Sequence, residues 1–380
     1  MQLELSDTQR MIRDAARAYA RSELAPRAAE VDREGRIPMS LLEGLAELGL
    51  MAVNVPDELG GSGAGVVAYS LAMQEIARAD ASVAVTMAVT NMVGEVIVQF
   101  GSAEQRRRYV PALATGRLRA GSFALSEPEA GSDPGSMRTT ARRDGDGWVL
   151  DGQKQWITSG PFADVFVVWA RTGGAGTRGI SCFLVDAEAP GLRVGRHEEK
   201  MGLRGSPTTA LYFEGCRVPA SALLGEPEGG FRIAMMALDG GRIGIASQAL
   251  GIADGALEEA IAYGKERVQF GHPITDFQAI QWFIADSRTE LEASRLLTMR
   301  AAWMKDRAVP FSRQAAMAKV FTTEAAWRVC DRALQMLGGY GYTRDFSIER
   351  RLRDVRVSRI YEGTSEIQRL VISRDILRSS

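Results

Sequence analysis

Helical periodicity dominates the first third of the chain. Apolar residues recur every three or four positions over residues 39–48, 66–77 and 81–100, and this spacing predicts helices with at least one buried face. Ser6 and Gln9 have the spacing of a capping box, which predicts that the first helix begins there. We therefore expect a group of helices at the N-terminal end.

The pattern changes near Gly121. From there to about Gly225, short runs rich in β-branched and aromatic residues alternate with turn residues, as at Trp148–Leu150 and Val165–Trp169. The run Asp144–Gly147, two Asp-Gly pairs in succession, predicts a tight turn between two strands. This segment is typical of a β-domain built from antiparallel strands.

Long helices are predicted again after the β-rich segment. Helical periodicity extends over residues 231–266, 277–305 and 312–337, and a shorter helix is expected after Thr364. These lengths exceed the usual mean and suit a bundle whose helices pack lengthwise. Gly338 and its neighbour Gly339 are expected to end the third long helix as a C-cap.

The order of elements predicts three domains in an α+β protein that is mainly α. We expect an N-terminal helical domain over residues 1–120, a middle β-barrel or β-sandwich domain over residues 121–229, and a C-terminal helical bundle over residues 230–380. A chain of 380 residues is long enough to form several cores.

Composition and charge exclude several classes of function. The net charge is −1, so no overall field attracts nucleic acid or an anionic membrane. The longest uncharged stretch, residues 81–94, is too short to span a bilayer. No basic segment followed by an apolar one stands at the N-terminus, so no secretory signal is expected and a cytoplasmic location is predicted.

The cysteines and histidines do not predict a metal centre. Cys182, Cys216 and Cys330 are far apart and odd in number, which fits neither a disulfide framework nor a zinc site. His197 and His272 are the only two histidines, so a histidine-based metal site or catalytic triad is not expected.

Two segments of the β-domain could approach a flat ligand. Phe123–Asp133 is rich in small and hydroxyl-bearing residues that allow close backbone contact, although a polar turn is the simpler interpretation. Gln155–Gly160 places the indole of Trp156 near the hydroxyl of Thr158, which could stack on and hydrogen-bond an aromatic ligand. A buried core tryptophan is the alternative.

A third segment could bind phosphate. Arg267–Gly271, followed by Gln278, supplies a guanidinium, an aromatic ring and an amide around a turn. Arginine binds phosphate groups through two parallel hydrogen bonds. A salt bridge at the end of a helix remains an equally simple explanation.

Glu362 is the most distinctive titratable residue. It lies in a loop just before a helix whose start is predicted by the capping-box spacing of Ser365 and Gln368. Burial would raise the pKa of this carboxyl, whereas the helix N-terminus would lower it. The residues alone leave two interpretations open, a general base in a cleft or a surface carboxylate that stabilises the helix dipole.

Taken together, these segments resemble the acyl-CoA dehydrogenase family from end to end, and most closely its short-chain (butyryl-CoA) branch. The resemblance lies in the order and spacing of seven stretches, which are Phe123–Asp133, Trp156–Thr158, Met201–Ser206, Leu238–Ala246, Arg267–Gln278, Gln335–Gly341 and Tyr361–Gln368. It implies an N-terminal helical domain, a β-domain and a C-terminal four-helix domain.

The resemblance also implies FAD as cofactor and assigns residues to it. The residues implied to line the isoalloxazine are Phe123, Leu125, Ser126, Gly131, Ser132, Trp156, Ile157 and Thr158, with Thr158 at the N5 edge. The residues implied to reach the adenosine diphosphate of FAD in a neighbouring subunit are Arg267, Phe270, Gln278, Gln335, Leu337, Gly338 and Gly339. Thr364 and Glu366 are similar to residues that hold the same cofactor. A homotetramer, arranged as a dimer of dimers, is implied as well.

For the substrate, the resemblance implies an acyl thioester and assigns Glu362 as the base that removes its α-proton. The residues implied to lie near the thioester arm are Ser132, Asp239, Arg242, Tyr361 and Gly363. Other branches of the family carry the base immediately before the arginine that matches Arg242, where this chain has Gly241. Glycine has no side chain that could act as a base, which leaves Glu362.

The implied reaction is α,β-dehydrogenation of a short-chain acyl-CoA, as in fatty acid β-oxidation, with an electron-transfer flavoprotein as acceptor. The phosphopantetheine arm is common to CoA and to acyl carrier protein, so the carrier stays open, as do chain length and branching. A flavin oxidase or monooxygenase of the same fold is a further alternative, and a scaffold without activity is the least favoured one.

Overall fold

The computed structural model describes residues 4–379, and it confirms the predicted order of helices, β-domain and helices. The N-terminal helices are α1 (Asp7–Tyr19), α2 (Ala28–Glu34), α3 (Met39–Glu47), α4 (Gly65–Ala79), α5 (Ala81–Phe100) and α6 (Ala103–Ala114). The strands of the middle region are β1 (Gly121–Ala124), β2 (Thr140–Asp144), β3 (Gly147–Thr158), β4 (Val165–Arg171), β5 (Ile180–Asp186), β6 (Leu192–His197), β7 (Thr208–Pro219) and β8 (Leu223–Leu224).

The C-terminal region is again helical. Its elements are α7 (Gly230–Glu266), the short strands β9 (Val268–Gln269) and β10 (His272–Pro273), then α8 (Gln278–Asp306), α9 (Ser312–Leu337), α10 (Ile348–Arg356) and α11 (Ser365–Ser379). Gly338 ends α9 with a positive φ of 57°, in agreement with the predicted C-cap.

Helix α5 is the central, buried helix of the N-terminal group. The capping box of Ser6 and Gln9 at the start of α1 is confirmed. Helix α5 is the one helix among the described residues whose length and composition would suffice to cross a membrane, and most of it is buried inside the protein. Asp80 accepts hydrogen bonds from the backbone N–H groups of Ser82 and Val83 and thereby caps this helix.

The β-domain is one sheet with strand order β6-β7-β3-β2-β4-β5-β8. The prediction of purely antiparallel strands was wrong in two places, because β1 and the first residue of β2 both pair with β4 in parallel. The β2–β3 hairpin lies between β1 and β4 in sequence, so the chain has room to return before β4 forms. Gly145, with φ of 57°, occupies the predicted turn of that hairpin.

The sheet is anchored on the C-terminal bundle by a buried tryptophan. Trp169 of β4 is fully buried, and its indole N–H donates to the carbonyl of Gly230 at 2.7 Å, at the start of α7. Its ring also packs on Phe123 of β1, with ring centroids 4.3 Å apart. The β-domain and the longest helix therefore share one core.

A loop after β6 fastens the end of β3 to α10. The backbone N–H of Ser159 donates to the carbonyl of Pro207 at 2.8 Å. Four residues earlier in the loop, the N–H of Leu203 donates to the buried carboxylate of Asp354 at 2.6 Å. Only the short 3-10 turn Val357–Arg359 separates α10 from the turn that carries Glu362. The loop therefore sets the position of the end of β3 relative to that turn.

Candidate active site

The turn around Glu362 has an unusual backbone. Glu362 and Gly363 both lie in the left-handed region, with φ of 53° and 86°. A non-glycine residue held there costs on the order of 1–3 kcal/mol and persists only where its surroundings fix it. A Cβ on Gly363 would stand 2.7 Å from the side-chain nitrogen of Gln368, so glycine is required at this position for space as well as for conformation.

Two buried donors hold this turn in place. The amide nitrogen of Gln368 donates to the carbonyl oxygens of Glu362, at 3.1 Å, and of Gly363, at 2.8 Å. The ammonium of Lys319, on α9, donates to the same Gly363 carbonyl at 2.8 Å. Lys319 and Gln368 are both fully buried, so water does not compete for these hydrogen bonds.

The predicted capping box of Ser365 and Gln368 was wrong. The hydroxyl of Thr364 accepts from the backbone N–H of Ile367 at 3.4 Å, and the buried hydroxyl of Ser365 has no hydrogen-bond partner within the part of the chain that the structure describes. The side chain of Gln368 points back to the turn because the two left-handed residues direct their carbonyls toward it. The helix begins where expected, but its start is held by different atoms.

The carboxylate of Glu362 is desolvated. Its Oε2 atom is buried and has no hydrogen-bond partner among the described residues. A Cβ on Gly241 of α7 would stand 2.6 Å from this oxygen and 3.4 Å from the sulfur of Met92. Gly241 therefore leaves the space that the carboxylate occupies, and Glu362 reaches the part of α7 where other branches of the resembled family are expected to carry the base.

Burial dominates the titration of Glu362. It raises the pKa of this carboxyl to about 7, although the cations of Arg242 and Lys319 act to lower it. The sequence left open whether burial or the helix N-terminus would prevail, and the structure decides for burial. A carboxyl with a pKa near neutrality is suited to accept a proton at physiological pH.

The predicted substrate residues on α7 form a polar pair close to the carboxylate. Arg242 is buried and forms an ion pair with Asp239, which also accepts a hydrogen bond from Ser312 at 2.8 Å. Burial raises the pKa of Asp239, while Arg242 and Ser312 lower it. The Nε atom of Arg242 is buried and has no hydrogen-bond partner among residues 4–379.

Tyr361 is fixed beside the turn. Its hydroxyl donates to the side-chain oxygen of Gln248 on α7, and Gln248 in turn donates to the carbonyl of Ala81 at 2.9 Å. Burial raises the pKa of Tyr361, so this phenol stays protonated and remains a donor. Ser132, the other predicted substrate residue, lies exposed in the loop after β1.

The two β-domain segments predicted to face a flat ligand lie beside each other where the C-terminal end of β3, Gln155–Thr158, passes β1 and the loop after it; this end of the sheet is the region called the sheet edge. The hydroxyl of Ser122 donates to the carbonyl of Thr158, and the N–H of Gln155 donates to the carbonyl of Ser126 at 2.9 Å. Within these segments the predicted residues differ in burial. Phe123, Ser126 and Thr158 are half-buried, Leu125 and Ile157 are buried, and Gly131, Ser132 and Trp156 are exposed.

Trp156 owes its exposure to a bulge in β3. The register between β3 and β7 shifts between Lys154 and Ile157, and Trp156 has a φ of 65°. A bulge redirects the side chain that it contains. Its indole is 61% exposed, so the core-tryptophan interpretation is wrong and a flat surface is open at the sheet edge.

A buried ion pair joins the loop after β1 to β3. The ammonium of Lys154 lies 2.7 Å from the carboxylate of Glu127 and donates to the carbonyl of Leu125 at 3.2 Å. Glu127 also accepts from the backbone N–H groups of Arg138 and Thr139, at 2.6 and 3.0 Å. The loop after β1 is therefore tied to β3 through charge as well as through the sheet.

The predicted phosphate-binding residues divide into two groups. Arg267 and Gln335–Gly339 line a surface cleft of about 550 Å³, whose described lining residues all belong to the C-terminal region. Phe270, 92% exposed, and Gln278, also exposed, are not among the lining residues. A Cβ on Gly338 or Gly339 would meet no described atom within 4 Å, so both glycines present open backbone.

The last two predicted cofactor residues lie at the start of α11. Thr364 is half-buried and Glu366 is exposed in the first turn of the helix. The pKa of Glu366 is lowered by its own backbone N–H and by the hydroxyl of Thr364. The helix N-terminus thus acts on Glu366, whereas Glu362, one turn earlier, is governed by burial.

The sequence interpretation missed Lys319 and the ion pair of Lys154 with Glu127. Lys319 had a detectable signal, because it is a single cation in the apolar run 315–320 of a predicted helix. Lys154 had no comparable signal, because burial does not alternate regularly along β3 and the partner of Lys154 lies 27 residues away in the sequence.

Comparison with known proteins adds independent information. Three domains of the acyl-CoA dehydrogenase family match the chain, the N-terminal domain over residues 6–117, the middle domain over residues 122–216 and the C-terminal domain over residues 228–377. The mitochondrial short-chain specific acyl-CoA dehydrogenase of Bos taurus is 50% identical over 380 residues, which cover 99% of this chain and 92% of the relative.

Two solved structures are similar over their whole length. Butyryl-CoA dehydrogenase from Megasphaera elsdenii superposes with a TM-score of 0.97 at 40% identity, covering 100% of both chains. A chain from the structure described as the electron transferring flavoprotein of Acidaminococcus fermentans, in work on flavin-based electron bifurcation, superposes with a TM-score of 0.98 at 43% identity, again covering 100% of both chains.

The buried pair beneath the sheet edge gives a stability prediction. Replacing Lys154 by Met leaves the carboxylate of Glu127 buried without its countercharge, which typically costs about 3–5 kcal/mol. We expect a loss of that order in the free energy of unfolding, measured by denaturant titration. The double variant Lys154→Met/Glu127→Gln should recover part of it.

The exposed pair of Arg138 with Glu129, at 2.7 Å, provides the matched control. Exposed pairs contribute about 0–1 kcal/mol, so Arg138→Met should change the free energy of unfolding little. Equal effects of Lys154→Met and Arg138→Met would contradict the interpretation of Lys154 as a buried structural cation.

Proposed function

The chain belongs to the acyl-CoA dehydrogenase family, and from this premise we propose that it oxidises a short-chain acyl-CoA to the trans-2-enoyl-CoA, with Glu362 as the base that removes the α-proton. The observation that carries the proposal is the Oε2 atom of Glu362, which is buried beside Gly241 and has no hydrogen-bond partner in the described part of the chain. A carboxylate removed from water is a stronger base than one in solution, and abstraction of a weakly acidic proton requires such a base.

As a member of this family the chain is an FAD-dependent dehydrogenase, as the sequence resemblance predicted. The bound cofactor would supply the acceptor for the hydride that leaves the β-carbon. The sheet edge fits a flat ring system, because Trp156 is exposed at the bulge and Phe123 and Thr158 are half-buried beside it. We propose that these residues, with the open backbone at Gly131, hold the isoalloxazine.

The chemical task of the protein is to stabilise negative charge on the thioester carbonyl as the α-proton leaves. Fixed hydrogen-bond donors are effective here because they need no reorganisation. The turn at Glu362 supplies such rigidity, since its two left-handed residues are held by Gln368 and Lys319. We propose that the backbone N–H of Glu362, fixed in this way, is one of the donors to the carbonyl oxygen.

Proton transfer to Glu362 depends on its ionisation. With a pKa of about 7 the carboxyl is protonated in acid and free to accept a proton in base. The rate of the chemical step should therefore fall as the pH decreases through about 7. The half-buried phenol of Tyr361 cannot take over this role, because desolvation raises its pKa and keeps it protonated.

The space beside the carboxylate supports a short acyl chain. Met92 of α5 and Tyr69 of α4 are both buried, and both pack against α7, at Gly241 and Gly244 respectively. The hydroxyl of Tyr69 would stand 2.6 Å from a Cβ on Gly244. We propose that these two buried side chains limit the room for the alkyl chain of the substrate. The same preference is named for the bovine relative and for the butyryl-CoA enzyme.

A neighbouring subunit completes the cofactor site in this proposal. Arg267 and Gln335–Gly339 form a cleft from C-terminal elements alone, and Phe270 and Trp282 expose large aromatic surfaces on the same region of the chain. We propose that this region meets the β-domain of another subunit and binds the adenosine diphosphate of its FAD, in a homotetramer arranged as a dimer of dimers. Arginine is suited to the diphosphate because of its paired donors.

The reduced cofactor must pass its electrons on, and we propose an electron-transfer flavoprotein as the acceptor. The support is the similarity to the chain from the Acidaminococcus fermentans structure, which is described with such a protein. The cytoplasmic location, β-oxidation as the pathway, and CoA rather than acyl carrier protein as the carrier remain predictions from the sequence.

Replacing Glu362 by Gln tests the assignment of the base. The amide has nearly the same shape but cannot accept the proton, so reduction of FAD by butyryl-CoA should slow by at least about 10²-fold, within the usual range for a general base. Stopped-flow absorbance at 450 nm under anaerobic conditions measures this step. FAD content should be unchanged, and a variant that keeps more than about a tenth of the wild-type rate would disprove the assignment.

A panel of acyl-CoA substrates from C4 to C12, assayed with a dye acceptor, tests chain length. We expect the highest kcat/KM at C4 and a steady decrease beyond C6, because Met92 and Tyr69 restrict the space. One methylene contributes only about 1–3 kcal/mol, so the decrease should extend over several chain lengths. Met92→Ala should shift the optimum to longer chains; an optimum that stays at C4 would contradict the role given to Met92.

Arg267→Ala tests the contribution of the neighbouring subunit. Loss of a paired donor to a diphosphate should weaken FAD retention about tenfold or more, measured by the absorbance ratio at 450 and 280 nm after gel filtration. Arg138→Ala, an exposed arginine of the β-domain, is the control. Full FAD retention in Arg267→Ala, with an unchanged assembly in sedimentation, would contradict the proposed site.

A further inference from the structure

A buried lysine on α9 stands directly behind the turn that carries Glu362. Lys319 is fully buried, and its ammonium lies 2.8 Å from the carbonyl oxygen of Gly363. Its neighbours along the buried face of the helix are small residues such as Ala315, Ala316 and Ala318. A buried lysine is expensive to maintain, since burial disfavours its charged form.

The Gly363 carbonyl has two donors where one would satisfy a typical peptide group. Lys319 approaches it from α9 and Gln368 from α11, both at 2.8 Å. This carbonyl belongs to the peptide that follows the two left-handed residues, so its orientation fixes their conformation. Removing either donor leaves the turn free to relax toward a backbone of lower energy.

Lys319 also contributes charge. The charged and titratable groups that act on Glu362 are Arg242 of α7 and Lys319 of α9, which favour its anionic form, while the phenols Tyr69 and Tyr361 lie nearby in neutral form. The carboxylate of Glu362 in turn raises the pKa of Lys319 more than any other charge does, and Glu324 and Glu366 raise it further. The cation of Arg242 lowers it. Burial lowers the pKa of Lys319 to about 7 despite this support.

Resting on the proposed role of Glu362, we propose that Lys319 is a positioning residue for the α-proton base. Through the Gly363 carbonyl its ammonium holds the left-handed turn that presents the Glu362 carboxylate beside Gly241. Through its charge it stabilises the anionic form of that carboxylate against burial. Lys319 touches neither the substrate nor the reacting atoms in this proposal and acts only through Glu362 and its backbone.

Two substitutions separate the hydrogen bond from the charge. Lys319→Met removes both, whereas Lys319→Gln keeps an N–H donor of similar reach and removes only the charge. Thr323→Val is the matched control, because Thr323 is buried one turn further on α9 and its hydroxyl donates only to the backbone carbonyls of Lys319 and Val320. It therefore perturbs the helix next to Lys319 without removing the ammonium. All variants are compared as the FAD-loaded protein.

The first measurement is the pH profile of kcat/KM for butyryl-CoA, which reports the free enzyme. The acidic limb of the wild type should lie near pH 7. Loss of the positive charge should move it upward by about one unit in both Lys319 variants. At pH 7, kcat should fall roughly 10–100-fold in Lys319→Met and less in Lys319→Gln, since a misplaced group costs about 10². Thr323→Val should keep the wild-type profile.

The second measurement does not depend on turnover. Infrared difference spectra of the FAD-loaded protein, taken against Glu362→Gln, isolate the carboxyl stretch of Glu362, and its titration gives the pKa directly. The midpoint should be higher in Lys319→Gln than in the wild type. An unchanged midpoint together with an unchanged acidic limb in Lys319→Gln would overturn the inference, even where Lys319→Met fails to fold.

The two proposals fail in different ways. If Glu362→Gln reduces FAD at the wild-type rate, Glu362 is not the base and the proposed function is wrong, while the infrared titration still decides whether Lys319 controls the carboxyl. If Glu362→Gln is inactive but the Lys319 variants titrate like the wild type, the base stands and Lys319 has only a packing role.

Discussion

Desolvation of a single carboxylate is the constraint on which the rest of the site depends. In water the carboxylate of Glu362 would be ionised at neutral pH but would be too weak a base to remove the α-proton. Burial raises its pKa to about 7 and removes the water molecules that would otherwise solvate the carboxylate. The surroundings must then do two opposite things. They must exclude water from Oε2, and they must keep enough positive charge nearby, from Arg242 and Lys319, for the anion to form.

The helical bundle supplies both conditions because three of its helices meet at the turn. Helix α7 provides the space at Gly241 and the guanidinium of Arg242, α9 provides the ammonium of Lys319, and α11 provides the amide of Gln368. The side chains of Arg242, Lys319 and Gln368 are buried, so their hydrogen bonds and ion pairs are not weakened by water. Removing any one of them would therefore leave a buried polar group without its partner. The strained backbone at Glu362 is stable because several elements fix it at once.

The β-domain solves a related problem with a different device. A bulge in β3 places Trp156 outside the sheet, and the ion pair of Lys154 with Glu127 fixes the loop after β1 beneath it. The loop after β6 then joins this edge to α10 through Leu203 and Asp354, and α10 leads into the turn of Glu362. Polar contacts of this loop therefore connect the proposed flavin surface to the helix that precedes the proposed base.

The sequence by itself determined the order of domains, the approximate bounds of the long helices and the identity of Glu362 as a candidate, because periodicity and local turn chemistry are properties of neighbouring residues. It did not predict the shorter helices α2, α6 and α10. It did not determine whether burial or the helix dipole sets the pKa of that carboxyl. It also did not predict that the side chains of Gln368 and Lys319 would donate to the backbone carbonyls of the turn. Those outcomes depend on which groups meet across tens of residues, and only tertiary packing sets the local dielectric and the partners of a buried charge.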